Sequence, residues 1–319
     1  MAVVAGPHTV GVMPTIEVED LFKSYGSVDA VRGISFRVGE GEVFALLGPN
    51  GAGKTTTLEI LEGHRRRSGG RVSVLGVDPE LGGRAFRERI GIVLQSAGID
   101  AELTVREVLD LYAASYPRPL PVGDVIALVG LEDKHRARVK TLSGGQRRRL
   151  DLALALTGDP DLIFLDEPTT GFDPAARRGA WRLIERLRGL GRTIVLTSHY
   201  MDEVQHLADR VAVITNGRIV AEGRPDSLGR FGPRETVISF RLPVAQTLAQ
   251  LPDELRRVVE SEDGQVTIRT AEPVRVLSRL CEWALERDVE LPGLEVVRTS
   301  LEDVYLQLTE DGLDGGDRA

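Results

Sequence analysis

The stretch Gly48-Pro-Asn-Gly-Ala-Gly-Lys-Thr55 matches the pattern G-x-x-x-x-G-K-[ST] at every fixed position. The apolar residues 43–47 precede it and are typical of a strand buried on both faces, and a helical segment follows it. Glycines let such a loop fold tightly enough for its amides to point at phosphate oxygens, and the helix dipole adds a positive end. An ordinary glycine-rich turn would not need this context, so the stretch predicts a phosphate-binding loop in an α/β domain.

The individual residues of this loop have separate predicted roles. The Lys54 ammonium group is expected to neutralise the β- and γ-phosphates of a nucleotide, and the Thr55 hydroxyl group to ligate Mg²⁺. The predicted site is therefore one for a nucleotide together with Mg²⁺. The loop residues predicted to contact the nucleotide are Gly48, Pro49, Asn50, Gly51, Ala52, Gly53, Lys54, Thr55 and Thr56.

Two carboxylates, Asp166 and Glu167, follow a second apolar run, Leu162-Ile-Phe-Leu165. A buried strand here would deliver both acids to the carboxyl edge of the sheet, where the phosphate loop also lies. Successive side chains of a strand point to opposite sides, so the two acids need not do the same job. Asp166 is predicted to hold Mg²⁺, and Glu167 is predicted to accept a proton from an attacking water. Without the phosphate loop in the same chain, the pair would more often be a solvated strand end.

A third motif, Leu142-Ser-Gly-Gly-Gln146, precedes an apolar helical segment that stops at Gly158 and Pro160. Ser143 is a natural N-cap, so one interpretation is simply the start of a helix. The same geometry exposes amides and a hydroxyl group to an anion, which is the second interpretation. From these residues alone, both interpretations stay open.

The apolar pattern along the chain predicts one large and one small domain. Apolar strands and helical segments alternate after residue 47, which is typical of a parallel sheet covered by helices. No strand pattern appears between residues 97 and 142, which predicts a helical insertion, and Asn216-Gly217 predicts a hairpin turn. Glycine, proline and charged residues displace the apolar pattern at 223–233, which predicts a domain boundary.

Beyond this boundary the segments follow the order β-α-β-β-α-β, which is typical of a split β-α-β sandwich. Helices are predicted at 244–251, 273–287 and 300–308, and a hairpin is predicted at 258–270. The predicted domains are a flexible tail at 1–14, a large domain at 15–229 that carries the three motifs and has a helical subdomain at about 97–150, an α+β accessory domain at 230–310 and a flexible tail at 311–319.

Composition excludes several classes of protein. The chain has 319 residues, of which 42% are hydrophobic and 28% charged, as expected of a globular protein. No apolar run approaches the ~20 residues that a membrane helix needs, and the first fourteen residues lack the basic start of a signal peptide. A net charge of −8 argues against a dedicated nucleic-acid binder. The single cysteine, Cys281, cannot form an internal disulfide and fits a cytoplasmic protein.

Taken together, the three motifs resemble those of ATP-binding cassette (ABC) ATPases, and matching elements cover roughly residues 16–223 in the family's order. The resemblance implies a P-loop NTPase cassette with a mixed sheet core, an antiparallel β subdomain and a helical subdomain, followed here by the small α+β domain. It also implies that the nucleotide is ATP. The chain has only two asparagines, Asn50 and Asn216, and neither fits the Asn-Lys-x-Asp base reader of a GTPase.

The resemblance also assigns roles to residues outside the loop and the carboxylates. Tyr25 would stack on adenine, Gln95 would link the γ-phosphate and Mg²⁺ to the helical insertion, and His199 would contact the γ-phosphate. The catalytic group is then Glu167 with His199 and Gln95, and the Mg²⁺ ligands are Thr55, Gln95 and Asp166. The residues that would serve the composite nucleotide site between two cassettes are Ser143, Gly144, Gly145, Gln146 and Asp173. Phe172 departs from the family, which usually has leucine before that aspartate.

The function implied by the resemblance is the energising subunit of a membrane transporter. Partners would be a second cassette, in a homodimer, and a separate integral-membrane permease, which places the chain at the cytoplasmic face of the membrane. A soluble cassette ATPase acting on DNA or ribosomes is the alternative. DNA-repair types carry a long coiled coil between Gln95 and Ser143, whereas only 47 residues separate them here. Ribosome-associated types usually carry two cassettes.

The segments Ser198-His-Tyr-Met-Asp-Glu203 and Ser300-Leu-Glu-Asp-Val-Tyr-Leu-Gln-Leu308 resemble the drug-exporting subfamily typified by daunorubicin-resistance ATPases. Members of that subfamily commonly carry an extra C-terminal domain of about this size. The resemblance implies an exporter of drugs or antibiotics. A lipid or polysaccharide exporter and a solute importer remain as alternatives, because substrate choice resides mainly in the membrane subunit.

Overall fold

The computed structural model describes residues 14–93, 98–228, 236–242, 248–256, 259–262 and 264–298. The chain divides into two compact units between Arg224 and Pro225. The predicted boundary after residue 229 lies five residues further on, and the predicted domain limits stay a prediction.

The first unit contains nine strands and seven α-helices within its described residues. The strands are β1 (Ile16–Tyr25), β2 (Val28–Val38), β3 (Val43–Leu47), β4 (Gly69–Val74), β5 (Ile90–Val93), β6 (Leu162–Leu165), β7 (Thr193–Ser198), β8 (Arg210–Thr215) and β9 (Arg218–Gly223). The helices are α1 (Lys54–Leu61), α2 (Gly83–Arg87), α3 (Val105–Ala113), α4 (Val122–Val129), α5 (Gly144–Leu156), α6 (Pro174–Gly189) and α7 (Met201–Leu207).

A six-stranded sheet in the order β5-β6-β7-β3-β8-β9 forms the centre of this unit. Five neighbouring strands of this sheet run parallel, namely β5, β6, β7, β3 and β8. Strand β9 pairs antiparallel with β8 after the predicted turn at Asn216-Gly217. All residues of β3, β6 and β7 are buried, as their continuous apolar runs predict. This arrangement confirms the predicted mixed sheet core, and it brings the carboxyl ends of β3, β6 and β7 to one edge.

A second, antiparallel sheet in the order β2-β1-β4 packs against the first one. The rings of Phe36 on β2 and Phe44 on β3 stack in parallel, with their centroids 5.2 Å apart, and so join the two sheets through one hydrophobic core. The predicted antiparallel β subdomain is therefore present. Strand β4 and the short helix α2 were not predicted, because few of their residues follow a clear apolar period.

Helical structure fills the region between β5 and β6 where no strand pattern was found. Thr104 and Ser143 cap α3 and α5, each through a complete capping box with a residue three positions later. Two short 3₁₀ turns, Glu132–Lys134 and Val139–Thr141, connect α4 to α5. The structure thus confirms the predicted helical insertion within the described residues.

The second unit contains α8 (Pro225–Leu228), β10 (Thr236–Arg241), α9 (Asp253–Arg256), β11 (Val259–Glu262), β12 (Gln265–Thr270), α10 (Pro273–Glu286) and β13 (Glu295–Arg298). Its strands form an antiparallel sheet in the order β11-β12-β10-β13. Phe240 of the sheet and Trp283 of α10 belong to its own hydrophobic core. Cys281 lies on α10 and is exposed.

One predicted element of this unit differs from the structure. Of the predicted helix at 244–251, the described part forms only a 3₁₀ turn, Leu248–Gln250. Pro252 ends this turn, because proline disfavours helical backbone at the residue before it, Leu251. Helix α9 begins directly afterwards, at Asp253. The predicted helix at 300–308 lies outside the described residues.

Candidate functional site

The phosphate loop between β3 and α1 has the backbone that its glycines predict. A Cβ atom at Gly48 would lie 2.2 Å from the Ile214 carbonyl oxygen, so a larger residue cannot fit between the loop and β8. Gly53 has a φ of +102°, and a Cβ there would lie 2.4 Å from the Ala30 carbonyl oxygen. Strands β8 and β2 therefore hold the loop from two directions, and both positions require glycine.

Lys54, the first residue of α1, is buried and reaches back over this loop. Its Nζ atom donates hydrogen bonds to the carbonyl oxygens of Gly48 and Pro49, at 2.8 and 3.1 Å. No side chain caps the start of α1, so amides of its first turn remain available to an anion. Burial lowers the pKa of Lys54, and the charge of Glu167 opposes that shift. A phosphate oxygen at this point would favour the charged ammonium group in the same way.

Asp166 lies where β6 ends and faces the start of α1. The Thr55 hydroxyl group donates to both of its carboxylate oxygens, at 3.3 and 3.2 Å, and the Thr197 hydroxyl group donates to Oδ1 at 2.6 Å. These are hard oxygen donors, which Mg²⁺ prefers, and Mg²⁺ commonly takes only one or two protein ligands besides phosphates and waters. The described residues contain no cluster of three His, Cys, Asp or Glu that could hold a metal alone. Thr55 and Asp166 thus fit an ion shared with a nucleotide.

Glu167 is held in an unusual backbone conformation, with a φ of +45°. Its amide donates to the Thr197 hydroxyl group at 2.9 Å, and its Oε2 accepts a hydrogen bond from the Thr170 hydroxyl group at 3.1 Å. Burial acts to raise the pKa of Glu167, but the hydrogen bond from Thr170 and the positive charge of Lys54 outweigh it. His199 acts in the same direction, so this pKa lies below its ordinary value. Glu167 is therefore ionised at neutral pH and able to accept a proton.

His199 follows β7 at the same sheet edge and completes the group around Glu167. Its Nδ1 atom lies 3.4 Å from Glu167 Oε1, the oxygen that is also 3.6 Å from Lys54 Nζ. The imidazole ring packs against the Tyr200 ring, with the centroids 4.0 Å apart. The predicted residues Lys54, Thr55, Asp166, Glu167 and His199 are thus brought together at one edge of the sheet.

A second group of predicted residues lies at the starts of α5 and α6, which Ser143 and Asp173 directly precede. The Ser143 hydroxyl oxygen accepts from the Gln146 amide at 3.3 Å, and Asp173 Oδ1 accepts from two amides of the first turn of α6. Residues of both motifs, with Phe172, line a cleft of about 350 Å³ between the two helices. Ser143 and Asp173 therefore each cap a helix. The structure bears out the interpretation of Ser143 as an N-cap, and that role is compatible with anion binding at the same helix start.

Two further predicted residues have different outcomes. Tyr25 lies at the end of β1 with 40% of its surface exposed, and its ring has Lys23 Nζ at 4.8 Å and Arg65 Cζ at 5.2 Å from its centroid. The ring is therefore partly exposed and makes cation–π contacts with both side chains, and adenine stacking stays a prediction. Gln95 lies outside the described residues.

Three residues of this site were missed by the sequence interpretation. Thr197 joins Asp166 to the amide of Glu167, and Thr170 supports the Glu167 carboxylate. Arg148, on α5, donates to the carbonyl oxygens of Asp166 and Pro168. The position of Thr197 at the polar end of an apolar strand was the one available signal. The Thr170 contact joins residues only three positions apart, whereas the Arg148 contacts depend on how α5 packs beside the segment after β6.

A buried acid, Glu62, directly follows α1, at the end of the helix away from the phosphate loop. Burial raises its pKa to about 8, and the charges of Asp166 and Glu59 add to this effect. The His64 Nδ1 atom lies 3.3 Å from its Oε2. Glu62 is therefore mostly protonated at neutral pH in the folded protein.

We expect Glu62→Gln to stabilise the protein progressively as the pH rises. An acid whose pKa is raised on folding contributes stability that is fully present below its unfolded pKa, near 4.5, and lost as the pH rises through about 8. The neutral amide does not have this loss, so its advantage should grow from pH 4.5 to 8 and reach about 2–4 kcal/mol. Urea unfolding at pH 5 and pH 8.5 measures the difference, with exposed Glu132→Gln as the control. An advantage that does not change with pH would contradict the assignment.

Comparison with known proteins gives consistent matches over both units. A family model described as ABC transporter matches residues 31–170, and one for the C-terminal domain of ABC transporter domain-containing proteins matches residues 236–300. The chain is 38% identical to the Nod factor export ATP-binding protein I of Rhizobium etli, over 93% of this chain and 94% of that protein. The Paraburkholderia xenovorans protein of the same name is 40% identical, over 92% and 96% of the two chains.

Solved structures agree with the sequence comparison. The structure of cbiO1 from Clostridium perfringens, part of an ABC transporter complex, superposes with a TM-score of 0.63 at 30% identity and covers 68% of this chain and 91% of that one. Within the described ranges, no helix is both long and apolar enough to cross a membrane. The matches to the two relatives extend over nearly the whole length of this chain and of both relatives. This chain therefore belongs to the ATP-binding subunits of ABC transporters, and it is an ATPase.

Proposed function

We propose that this chain hydrolyses MgATP with Glu167 as the general base and so powers a membrane exporter. The observation that carries the proposal is the contact of one Glu167 oxygen with both Lys54 Nζ and His199 Nδ1, at 3.6 and 3.4 Å. The base is then adjacent to the charge that holds the γ-phosphate. Glu167 takes a proton from water, the water oxygen bonds to the γ-phosphorus, and the bond to ADP breaks. Thr55 and Asp166 would hold the Mg²⁺ ion, which would neutralise negative charge on the phosphates.

The active form that we propose is a homodimer with two composite sites. Each chain has one phosphate loop and one motif at Ser143, and the family resemblance pairs the loop of one chain with that motif of the other. Ser143 caps α5 with its hydroxyl group at the exposed end of the helix, which supports a role toward a second chain. ATP would then join the two cassettes, and hydrolysis would release them.

Mixing two inactive variants tests this composite site. We expect Lys54→Ala chains and Ser143→Arg chains to be inactive alone, and their mixture to recover up to about a quarter of wild-type turnover, since half the dimers are mixed and each holds one intact site. The matched control mixes Lys54→Ala with Glu167→Gln, which damage the same half of the site and should recover nothing. A mixture of the first pair that stays inactive, with both chains folded by circular dichroism, would refute the composite site.

The proposed partner is a separate permease, which would hold the chain at the cytoplasmic face of the membrane. The names of the two relatives support export rather than import. The resemblance at residues 198–203 and 300–308 supports drugs or antibiotics as cargo. Co-expression with the membrane protein of the neighbouring gene, followed by co-purification and drug-efflux assays, tests the proposal. Wild-type protein should support efflux and Glu167→Gln should not. Uptake, or export of lipid or polysaccharide alone, would replace the proposed cargo and direction.

A further inference from the structure

Three consecutive arginines on α5 have three different surroundings. Arg147 is exposed, and Arg149 donates to the Gly130 carbonyl oxygen at the end of α4. Arg148 points inward, with only 16% of its side chain exposed. Its Nη2 atom donates to the Asp166 carbonyl oxygen at 3.3 Å, and its Nε atom donates to the Pro168 carbonyl oxygen at 3.4 Å. A mostly buried guanidinium group thus binds the backbone on both sides of Glu167.

Glu167 needs such support because its backbone is strained. A φ of +45° at a residue other than glycine is costly, and it persists only where surrounding contacts determine it. From the β7 side, the Thr197 hydroxyl group accepts the Glu167 amide proton. From the α5 side, Arg148 binds the carbonyl groups of the preceding and following residues. The strained residue is therefore fixed between two elements, and one of them is the helix that begins at Ser143.

We propose that Arg148 is a positioning residue that holds the Glu167 carboxylate in place and makes it depend on the position of α5. The inference rests on the proposed role of Glu167 as the base. Hydrogen bonds from a fork-shaped guanidinium group fix two acceptors at once, which an ammonium group cannot do equally well. Because α5 carries the Ser143 motif at its start, a second chain that binds this motif would act on the base through Arg148.

Arg148→Met and Arg148→Lys test the positioning role, with Arg147→Met as the matched control on the exposed side of α5. We expect Arg148→Met to lower kcat about ten- to a hundredfold, as displacement of a catalytic group does, while KM and the Kd for ATP stay within about twofold. Arg148→Lys should recover part of the loss, and Arg147→Met should match the wild type. An unchanged kcat, or a change confined to KM, would overturn the proposal. If Arg148→Met does not fold, the lysine variant carries the same comparison.

A double-mutant cycle separates positioning from general damage to the fold. In the Glu167→Gln background no base remains to be positioned, so adding Arg148→Met should leave the residual single-turnover rate unchanged. An equal further loss in that background would overturn the proposal in favour of a purely structural role. If Glu167→Gln alone keeps full turnover, the base assignment fails first, and this inference fails with it. If Glu167→Gln is impaired while Arg148 variants are not, only this inference fails.

Discussion

Glu167→Gln is expected to lower MgATP turnover about 10²–10⁴-fold while ATP binding survives. The amide keeps the shape of the side chain and can still accept the hydrogen bond from Thr170, but it cannot take a proton from water. The substitution also removes the negative charge of Glu167, which favours the charged form of Lys54, and it leaves the loop backbone unchanged. Phosphate release under saturating MgATP and ATP affinity by calorimetry measure the two quantities separately.

The same substitution at Glu132, on an exposed 3₁₀ turn of the helical insertion, is the control for the chemical change itself. It should leave both turnover and affinity at wild-type values. Turnover of Glu167→Gln within a few-fold of the wild type would remove this residue from the role of base. A large loss of ATP affinity in the variant would instead assign Glu167 to binding.

Lys54→Ala should instead weaken ATP binding itself, whereas Glu167→Gln spares binding. The substitution removes the charge that faces the phosphates and leaves the carbonyl groups of Gly48 and Pro49 without their donor. A hydrogen-bonded charge is worth ~1.5–3 kcal/mol, which corresponds to a Kd for ATP about 10–100-fold higher. Fluorescent-nucleotide titration measures this change. Lys140→Ala, which removes an exposed ion pair with Glu102, should leave the Kd unchanged. An unaltered Kd in Lys54→Ala would contradict the phosphate-facing role.

The parts of the fold that were predicted correctly have strong local signals. The buried strands β3, β6 and β7 are continuous apolar runs, and the loop at Gly48 has fixed glycine spacing that its contacts with Ile214 and Ala30 now explain. Strand β4 has a weaker pattern, because it lies in an antiparallel sheet with partly exposed residues. Local sequence does not show which sheet such a strand joins.

The chemistry of the site was predictable to the level of residue type and no further. The order Asp166-Glu167 after an apolar run indicated two acids at a sheet edge, but not the positive φ of Glu167. That conformation depends on Thr197 and Arg148, which are 30 and 19 residues away in the chain, and on how β7 and α5 meet around β6. The elevated pKa of Glu62 arises in the same way, since burial and the charge of Asp166 cause it together.

The exposed Cys281 on α10 has a practical consequence, since it is the only thiol in the chain. A maleimide-linked spin label or fluorophore attaches at one defined point without prior removal of other cysteines. In a homodimer, two such labels give a single distance, readable by pulsed electron resonance or energy transfer. Labelled Glu167→Gln protein, titrated with ATP, would therefore report the assembly of two chains directly, before any permease or transported compound has been identified.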